Sequence, residues 1–371
     1  MIVIVSDMRI KNKEKIMIPL FKPYMPELPD LNAILSSGNL SAGKWVSVYE
    51  NKLKQYLEEK YILVTNTFAS GISVSATTLG LKYGDEVLAS PMGCLVSTQP
   101  YASMGFKIKW CDIDTVTGTL DPDSVRAKIT PNTKAIIHNH FCGYPGYIDE
   151  INSIGREYGI PIIDDGIECF GTEYKGRKIG HCGTDVTVFA TSAVRLPNTI
   201  DGGIIVFKNK KHYEKAKLVR DCGIDRNRFR DDLGEINPLC DISEIGYSAT
   251  MSNVNAYIGI QQMNNISDLL ARQRINADNW KNMLIDELIS VGAKPMETKN
   301  GLPNYWVFGT KAKNKREAIK DFRNMGYYSS GVHINNNIYS IFGDQRELKG
   351  VTDFYNHFVA LPCGWWLGGR V

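Results

Sequence analysis

Ile160-Pro-Ile-Ile-Asp-Asp165 is apolar without alternation and then ends abruptly in two carboxylates. A strand with one wet face alternates polar and apolar residues. A strand that does not alternate is covered on both faces, as in a parallel sheet between helical layers. Ala135-Ile-Ile137 has the same character, and the residues from Tyr147 to Tyr158 between the two read as a helix. Upstream, Tyr61–Thr65, Asp85–Ser90, Lys107–Asp112 and Lys134–His138 read as strands, with a small-residue helix from Ala69 to Leu81. Downstream, Val186–Phe189 and Gly203–Phe207 complete the set. This alternation predicts an α/β fold: a large domain with a mostly parallel central sheet flanked by helices. After residue 262 the character changes. A long helical stretch spans Ile266–Val291, a strand is expected at Tyr305–Phe308 and a helix at Lys315–Asn324. The expected division is an N-terminal segment, 1–45, joined to a small α+β domain, 263–371, with the large domain at 46–262.

Ligands of parallel sheets collect at the carboxyl ends of the strands. Here those ends read Thr65-Asn66-Thr67, Ser90-Pro91-Met92, His138-Asn139-His140, Asp164-Asp165 and Ala190-Thr191-Ser192. The list is polar and proposes a site before any comparison. The bulk numbers exclude some classes of partner. The 371 residues carry a net charge of only +3, with 43% hydrophobic and 22% charged residues, and the basic residues are scattered. Neither a nucleic-acid footprint nor a membrane surface is expected; the short run Lys208-Asn-Lys-Lys211 reads as a solvated turn. Met1-Ile-Val-Ile-Val-Ser-Asp7 is too short and lacks the basic start of a secretory signal, so a cytoplasmic location is expected. Eight cysteines include no C-x-x-C pair and suit reduced, mostly buried thiols. His138 and His140 would share a strand face, but nothing nearby in sequence completes a ligand set, so no metal is expected.

Several motifs, in order and at their spacings, carry a resemblance. They are Ile18-Pro-Leu-Phe-Lys-Pro23, Ser36-Ser-Gly-Asn-Leu-Ser-Ala-Gly43, Thr133-Lys-Ala-Ile-Ile137, His140-Phe-Cys-Gly-Tyr-Pro145, Gly171-Thr-Glu-Tyr-Lys-Gly-Arg-Lys-Ile-Gly180, Gly202-Gly203 and Gly259-Ile-Gln-Gln-Met263. The chain resembles the DegT-like nucleotide-sugar aminotransferases, pyridoxal-phosphate enzymes of fold type I. The similarity runs from Ile18 to about Pro362. It implies an aspartate-aminotransferase-like fold, a nucleotide-sugar ligand and a site built across a homodimer.

The resemblance also assigns roles. Asp165 matches the aspartate that pairs with the pyridine nitrogen, a carboxylate that lets the protonated ring act as an electron sink; a helix cap is the competing role. Thr67 and Phe68 occupy the phosphate-binding turn, where a helix N-terminus holds an anion; an ordinary N-cap is equally expected. His140 lies in the family's histidine register, and Glu168 stands where a glutamine is common. Either could move protons, or both could be partners in a strand-end network. His333, in Gly331-Val-His-Ile-Asn-Asn-Asn337, lies where the family's small domain approaches the substrate; it reads as a surface loop, with a sugar contact as the alternative.

Four positions depart from the family pattern. The Schiff-base lysine becomes Arg195, the ring-stacking aromatic becomes Leu95, the asparagine reaching the neighbouring subunit's phosphate becomes Ser248, and the phosphate serine becomes Ala190, beside Thr191 and Ser192. A Schiff base needs a neutral amine. Deprotonating a guanidinium at pH 7 costs about 9 kcal/mol, and Arg195 cannot serve as the base that moves a proton at the cofactor carbon. The resulting expectation is a protein acting on a nucleotide-linked keto-deoxy sugar in surface-polysaccharide or antibiotic-sugar synthesis. Pyridoxal or pyridoxamine phosphate would be held noncovalently, if at all. The alternatives are a cofactor-independent ketosugar isomerase or epimerase, and a non-catalytic sugar-nucleotide binder or partner of a lysine-bearing paralogue.

Overall fold

The computed structural model describes residues 17–299, 301–343 and 346–367. The apolar start at Met1–Asp7 and the rest of residues 1–16 lie outside the described residues. The central sheet has seven strands: β1 (Ile62–Thr65), β2 (Glu86–Ala89), β3 (Lys107–Trp110), β4 (Thr133–Asn139), β5 (Ile162–Gly166), β6 (Val186–Ala190) and β7 (Gly203–Phe207). Their spatial order is β1-β7-β6-β5-β4-β2-β3. β7 runs antiparallel to both of its neighbours, and the other pairs are parallel. Every residue of β5, β6 and β7 is buried, as a sheet covered on both faces requires.

One helical layer includes α1 (Lys44–Leu57), whose Tyr49, Leu53 and Leu57 pack against Ile62, Val64, Ile204 and Ala256. On the other face, α2 (Phe68–Thr78) packs its Ile72 with Val188 and Ile205. The helix α3 (Ile148–Tyr158) closes the β4–β5 crossover and buries Ile151 and Ile154 against Ile136 and Ile162. It stops at Gly159, a left-handed position with φ +65°.

A helix was expected to begin at Ile266. Instead α4 (Asn253–Asn282) starts thirteen residues earlier, capped by Ser252 Oγ on Asn255 N, and a separate short helix follows at Ile285–Ser290. Position 262 therefore lies inside a continuous helix. The early turns escaped notice because they are buried on several sides, at Tyr257, Ile258, Ile260 and Gln262, and show no simple apolar stripe. The small sheet comprises β8 (Ala293–Pro295), β9 (Phe308–Ala312) and β10 (Phe358–Leu361), all antiparallel. It packs with α5 (Lys315–Met325) and with Trp280 from the far end of α4. The strand expected at Tyr305–Phe308 begins only at Phe308, because Tyr305 is left-handed, with φ +53°. Ile18 bridges Tyr327, and Trp366 Nε1 donates to Pro19 O, so the start of the described chain joins the small sheet's side of the molecule.

Candidate functional site at the carboxyl ends of the strands

The end of β5 delivers three carboxylates. Asp164 and Asp165 lie side by side in the strand, and Glu168 follows in the turn. Alternation sends the first two to opposite faces.

Asp164 faces a closed network. His138 Nδ1 is 2.9 Å from its Oδ1, and His140 Nε2 is 3.5 Å from the same atom. Gly146 N donates to His140 Nδ1 at 3.1 Å. His140 is 1% exposed and His138 is 0% exposed, so this cluster is sealed from solvent. Burial opposes charge on Asp164, but the two imidazoles outweigh it and hold the carboxyl well below its usual range. Burial likewise lowers His138. The two histidines do share one side of the strand, as expected. Their described partner is a carboxylate on the neighbouring strand.

Asp165 faces Ser97, Asn139 and Asn336 across a cavity of about 10 Å³, barely room for one water. Its Oδ1 accepts from Ile167 N at 3.2 Å. Burial pushes its pKa up to about 6, against the pull of Ser97 and that backbone bond. Asn336 closes this space from the small-domain side: its N donates to Pro91 O at 2.8 Å and its Nδ2 to Thr98 Oγ1 at 3.2 Å.

Glu168 is the hub of the second cluster. Its Oε1 lies 2.7 Å from His333 Nε2 and accepts from Arg195 Nη2 at 3.3 Å, while Oε2 accepts from Cys142 N at 2.7 Å. Burial alone would raise its pKa. His333, the guanidinium and the Cys142 N–H together hold it below the usual carboxylate range. The Arg195 Cζ stands over the ring of Trp306, 3.9 Å from its centroid, a cation–π contact. Trp306 is fixed in turn, donating from Nε1 to Val194 O at 2.8 Å and stacking on Phe21 at 4.5 Å.

Asn304 sets this geometry. Its Nδ2 donates to Glu168 O and Phe170 O, its Oδ1 accepts from Trp306 N, and its N donates to Thr172 Oγ1. Gly143 leaves room for it, since a Cβ there would stand 2.1 Å from Asn304 Oδ1. Trp306, Asn304 and Asn336 were not singled out from the sequence. The signal at Asn304 and Trp306 was the aromatic run around Tyr305, which read as a strand, and Asn336 stood in the Gly331–Asn337 segment quoted for His333. His333, expected in a surface loop, is instead about one-tenth exposed at its side chain and bonded to Glu168.

The remaining candidates fall around this centre. Thr67 caps α2, with its Oγ1 accepting from Ser70 N at 2.9 Å, and Phe68 is buried in the core beneath it. This turn packs directly on β7: a Cβ on Gly203 would be 2.8 Å from Thr67 O. Leu95 sits half-buried at the start of a short turn, Leu95–Ser97. Ser192 O accepts from Arg195 N at 2.9 Å. Ser248 is exposed, and its carbonyl accepts from Asn66 Nδ2 at 3.2 Å. The strand ends thus bring Arg195, Glu168 and His333 into one contact cluster. Asp165 stands on the adjoining cavity, and His140 is shut away with Asp164.

A large, mostly parallel sheet with a carboxylate-rich carboxyl end and a small antiparallel domain defines the fold-type I aminotransferase class. Residues 25–367 match the model of the DegT/DnrJ/EryC1/StrS aminotransferase family, and the chain belongs to that family. The sugar aminotransferase CalS13 from Micromonospora echinospora superposes with a TM-score of 0.87 at 27% identity, over 95% of this chain and 96% of that one. AtS13 from Actinomadura melliaura superposes with a TM-score of 0.86 at 28% identity, over 95% of each chain. An uncharacterized protein of Methanocaldococcus jannaschii is 31% identical over 249 residues, 66% of this chain and 64% of that protein's length. No helix among the described residues is long and apolar enough to cross a membrane.

The family is one of pyridoxal-phosphate enzymes, and the residues present can be tested against that group. A lysine-type linkage needs an amine; at position 195, where the resemblance puts it, stands a guanidinium already bonded to Glu168 and set against Trp306. The cavity that Asp165 lines, about 10 Å³, is too small for a pyridine ring. As arranged, these residues do not fit the cofactor attached through position 195.

Proposed function

We propose that this chain binds a nucleotide-linked keto-deoxy sugar of surface-polysaccharide or antibiotic-sugar synthesis and does not perform lysine-dependent amino transfer. The family supplies the sugar class. The observation that carries the second half is the buried Arg195–Glu168 ion pair against Trp306, at the position where the resemblance puts the lysine. Proton transfer by the other candidates is also disfavoured. Glu168 is held as a carboxylate by three donors, and His140 is sealed behind the strand end. A site of this kind recognises a ligand and, in a homodimer or beside a lysine-bearing paralogue, completes an assembly without reacting.

Asp165 favours a second reading. The resemblance gives Asp165 the role of partner to the ring nitrogen, and a buried carboxyl there would suit pyridoxamine phosphate held noncovalently after the small domain moves.

The test has two arms. Purified protein is incubated with pyridoxal phosphate, treated with borohydride and mapped by mass spectrometry; no pyridoxyl-modified site residue is expected. Calorimetry with UDP-glucose and dTDP-glucose is expected to show binding. Stoichiometric retention of pyridoxamine phosphate through dialysis moves the conclusion to the second reading, and a trapped imine in the site ends the first.

A further inference from the structure

Basic residues scattered through the chain as a whole gather in one part of the small domain. The stretch from Lys313 to Arg323 holds five cations against two carboxylates, a net +3 that equals the charge of the entire chain. Arg316, Lys320 and Arg323 recur at helical spacing, so α5 presents them on one face while Ala318 and Phe322 bury another in the core. Across from them stand Tyr355, Asn356 and His357, at the end of the helix Lys349–His357. The two walls border an open cavity of about 770 Å³ that no carboxylate lines, a size usual for small-molecule sites. None of the five cations is ion-paired among the described residues. Lys315 Nζ donates to Tyr355 O at 2.6 Å and Arg323 Nη2 to Ser329 O at 2.9 Å, both carbonyls. His357 alone among the lining residues has a described carboxylate beside it, with Nδ1 3.6 Å from Asp353 Oδ1.

Lys315 shows what the cavity lacks. Its side chain is half-buried, with Nζ 3.8 Å from the Tyr355 ring centroid, and burial pulls its pKa down to about 8. An ammonium drawn out of water with only a carbonyl and a ring as partners is short of counter-charge. We infer that this groove binds a small anion rich in phosphoryl groups, an oligophosphate. Five cations border one cavity, and a simple carboxylate neutralises too few of them, whereas an oligophosphate carries several negative charges on adjoining groups. Arg316, whose guanidinium bonds to no described residue, offers a fork that matches phosphoryl oxygens, and the lysines add mobile point charges. The cations surround a hollow and do not form a stripe along the surface, which favours a small molecule over a polymer. The phosphate chain belongs either to an inorganic oligophosphate or to a free nucleotide. The groove shares no residue with the strand-end site, so this inference stands apart from the sugar-nucleotide reading.

The experiment titrates the full chain by calorimetry with tripolyphosphate, UTP and citrate at fixed ionic strength, citrate being a carboxylate anion of several charges. Tripolyphosphate or UTP is expected to bind one to one, and citrate roughly 10-fold more weakly or worse. Arg316→Gln with Lys320→Gln removes two exposed charges that bond to no described residue. The thermal midpoint is expected to hold and the affinity for the oligophosphate to fall roughly 10–100-fold. Lys313→Gln with Arg316→Gln gives the same reading should the first pair fail to fold. Lys210→Gln with Lys211→Gln, an equal loss of charge on the large domain, is expected to change nothing. UTP binding tighter than tripolyphosphate assigns the groove to a nucleotide; UTP no tighter assigns it to the phosphate chain alone. The inference is overturned if neither binds at millimolar concentration, if citrate binds as well, or if the groove pair loses no more affinity than the large-domain pair. UDP-glucose binding to the groove variants reports on the strand-end site separately, and its absence in every form sinks the sugar-nucleotide reading while leaving this one to its own outcome.

Discussion

His333 and Glu168, 165 positions apart in the chain, meet at 2.7 Å and tie the small domain to the end of a large-domain strand. The carboxylate between them and Arg195 balances two groups at once, so its removal is costly.

Glu168→Gln leaves the buried guanidinium without its counter-charge. Breaking one side of such a pair costs about 3–5 kcal/mol. Denaturant unfolding of Glu168→Gln is expected to show a loss of that order, and an added Arg195→Met is expected to recover much of it. A double variant as unstable as the single one would mean that the pair is not coupled.

Asp165 gives a pH signature. Its folded-state pKa, pushed up to about 6, lies above the ordinary 3.8, so the folded protein binds its proton more tightly than the unfolded chain does. Stability from this group is therefore full below about pH 4 and declines as pH rises toward 6, by about 3 kcal/mol. Asp165→Asn is expected to remove that decline and to be the more stable protein at pH 8. Parallel stability–pH curves for the two proteins would contradict it.

Trp306→Ala removes the flat surface on which Arg195 rests, together with the bond to Val194 O. Truncating a buried tryptophan costs about 3–5 kcal/mol. Trp306→Phe keeps a ring and gives up the indole N–H, so a loss nearer 1 kcal/mol is expected. Equal midpoints for the two variants in urea would argue that the ring contributes nothing to the cluster.

Gly203→Ala tests the packing of the α2 entry turn on β7. The added methyl would fall 2.6 Å from Thr65 Oγ1 and 2.8 Å from the Thr67 carbonyl, and the second neighbour is backbone. Overpacking of this kind costs about 1–3 kcal/mol. A thermal scan showing an unchanged midpoint would mean that the turn yields.

The large domain was readable because its strands are apolar on both faces and their carboxyl ends switch sharply to polar residues. That switch named Asp165, while Arg195 and Glu168 came from the family register. The other half of the site was not readable. Trp306 and Asn304 depend on a left-handed Tyr305 that breaks an apparent strand, and such a backbone choice leaves no mark in composition. His333 looked like loop polarity; only the fold brings it to a carboxylate. Of the two roles the sequence left open for His140, proton carrier or partner in a strand-end network, the fold favours the second, since the Gly146 amide and Asp164 hold it inward. The start of α4 was obscured because a helix buried on several sides has no polar face to set its period.

That helix has a mechanical consequence. Thirty unbroken residues make a rod about 45 Å long, with its first turns wedged beside Tyr49 in one lobe and Trp280 anchored among Phe308 and Phe322 in the other. The lobes share an axle, so changes in the width of the crevice above the strands must come from flexing or twisting about this rod and from the arms bearing His333 and Asn336, and an arm that lets go of Glu168 exposes Arg195 in the same movement.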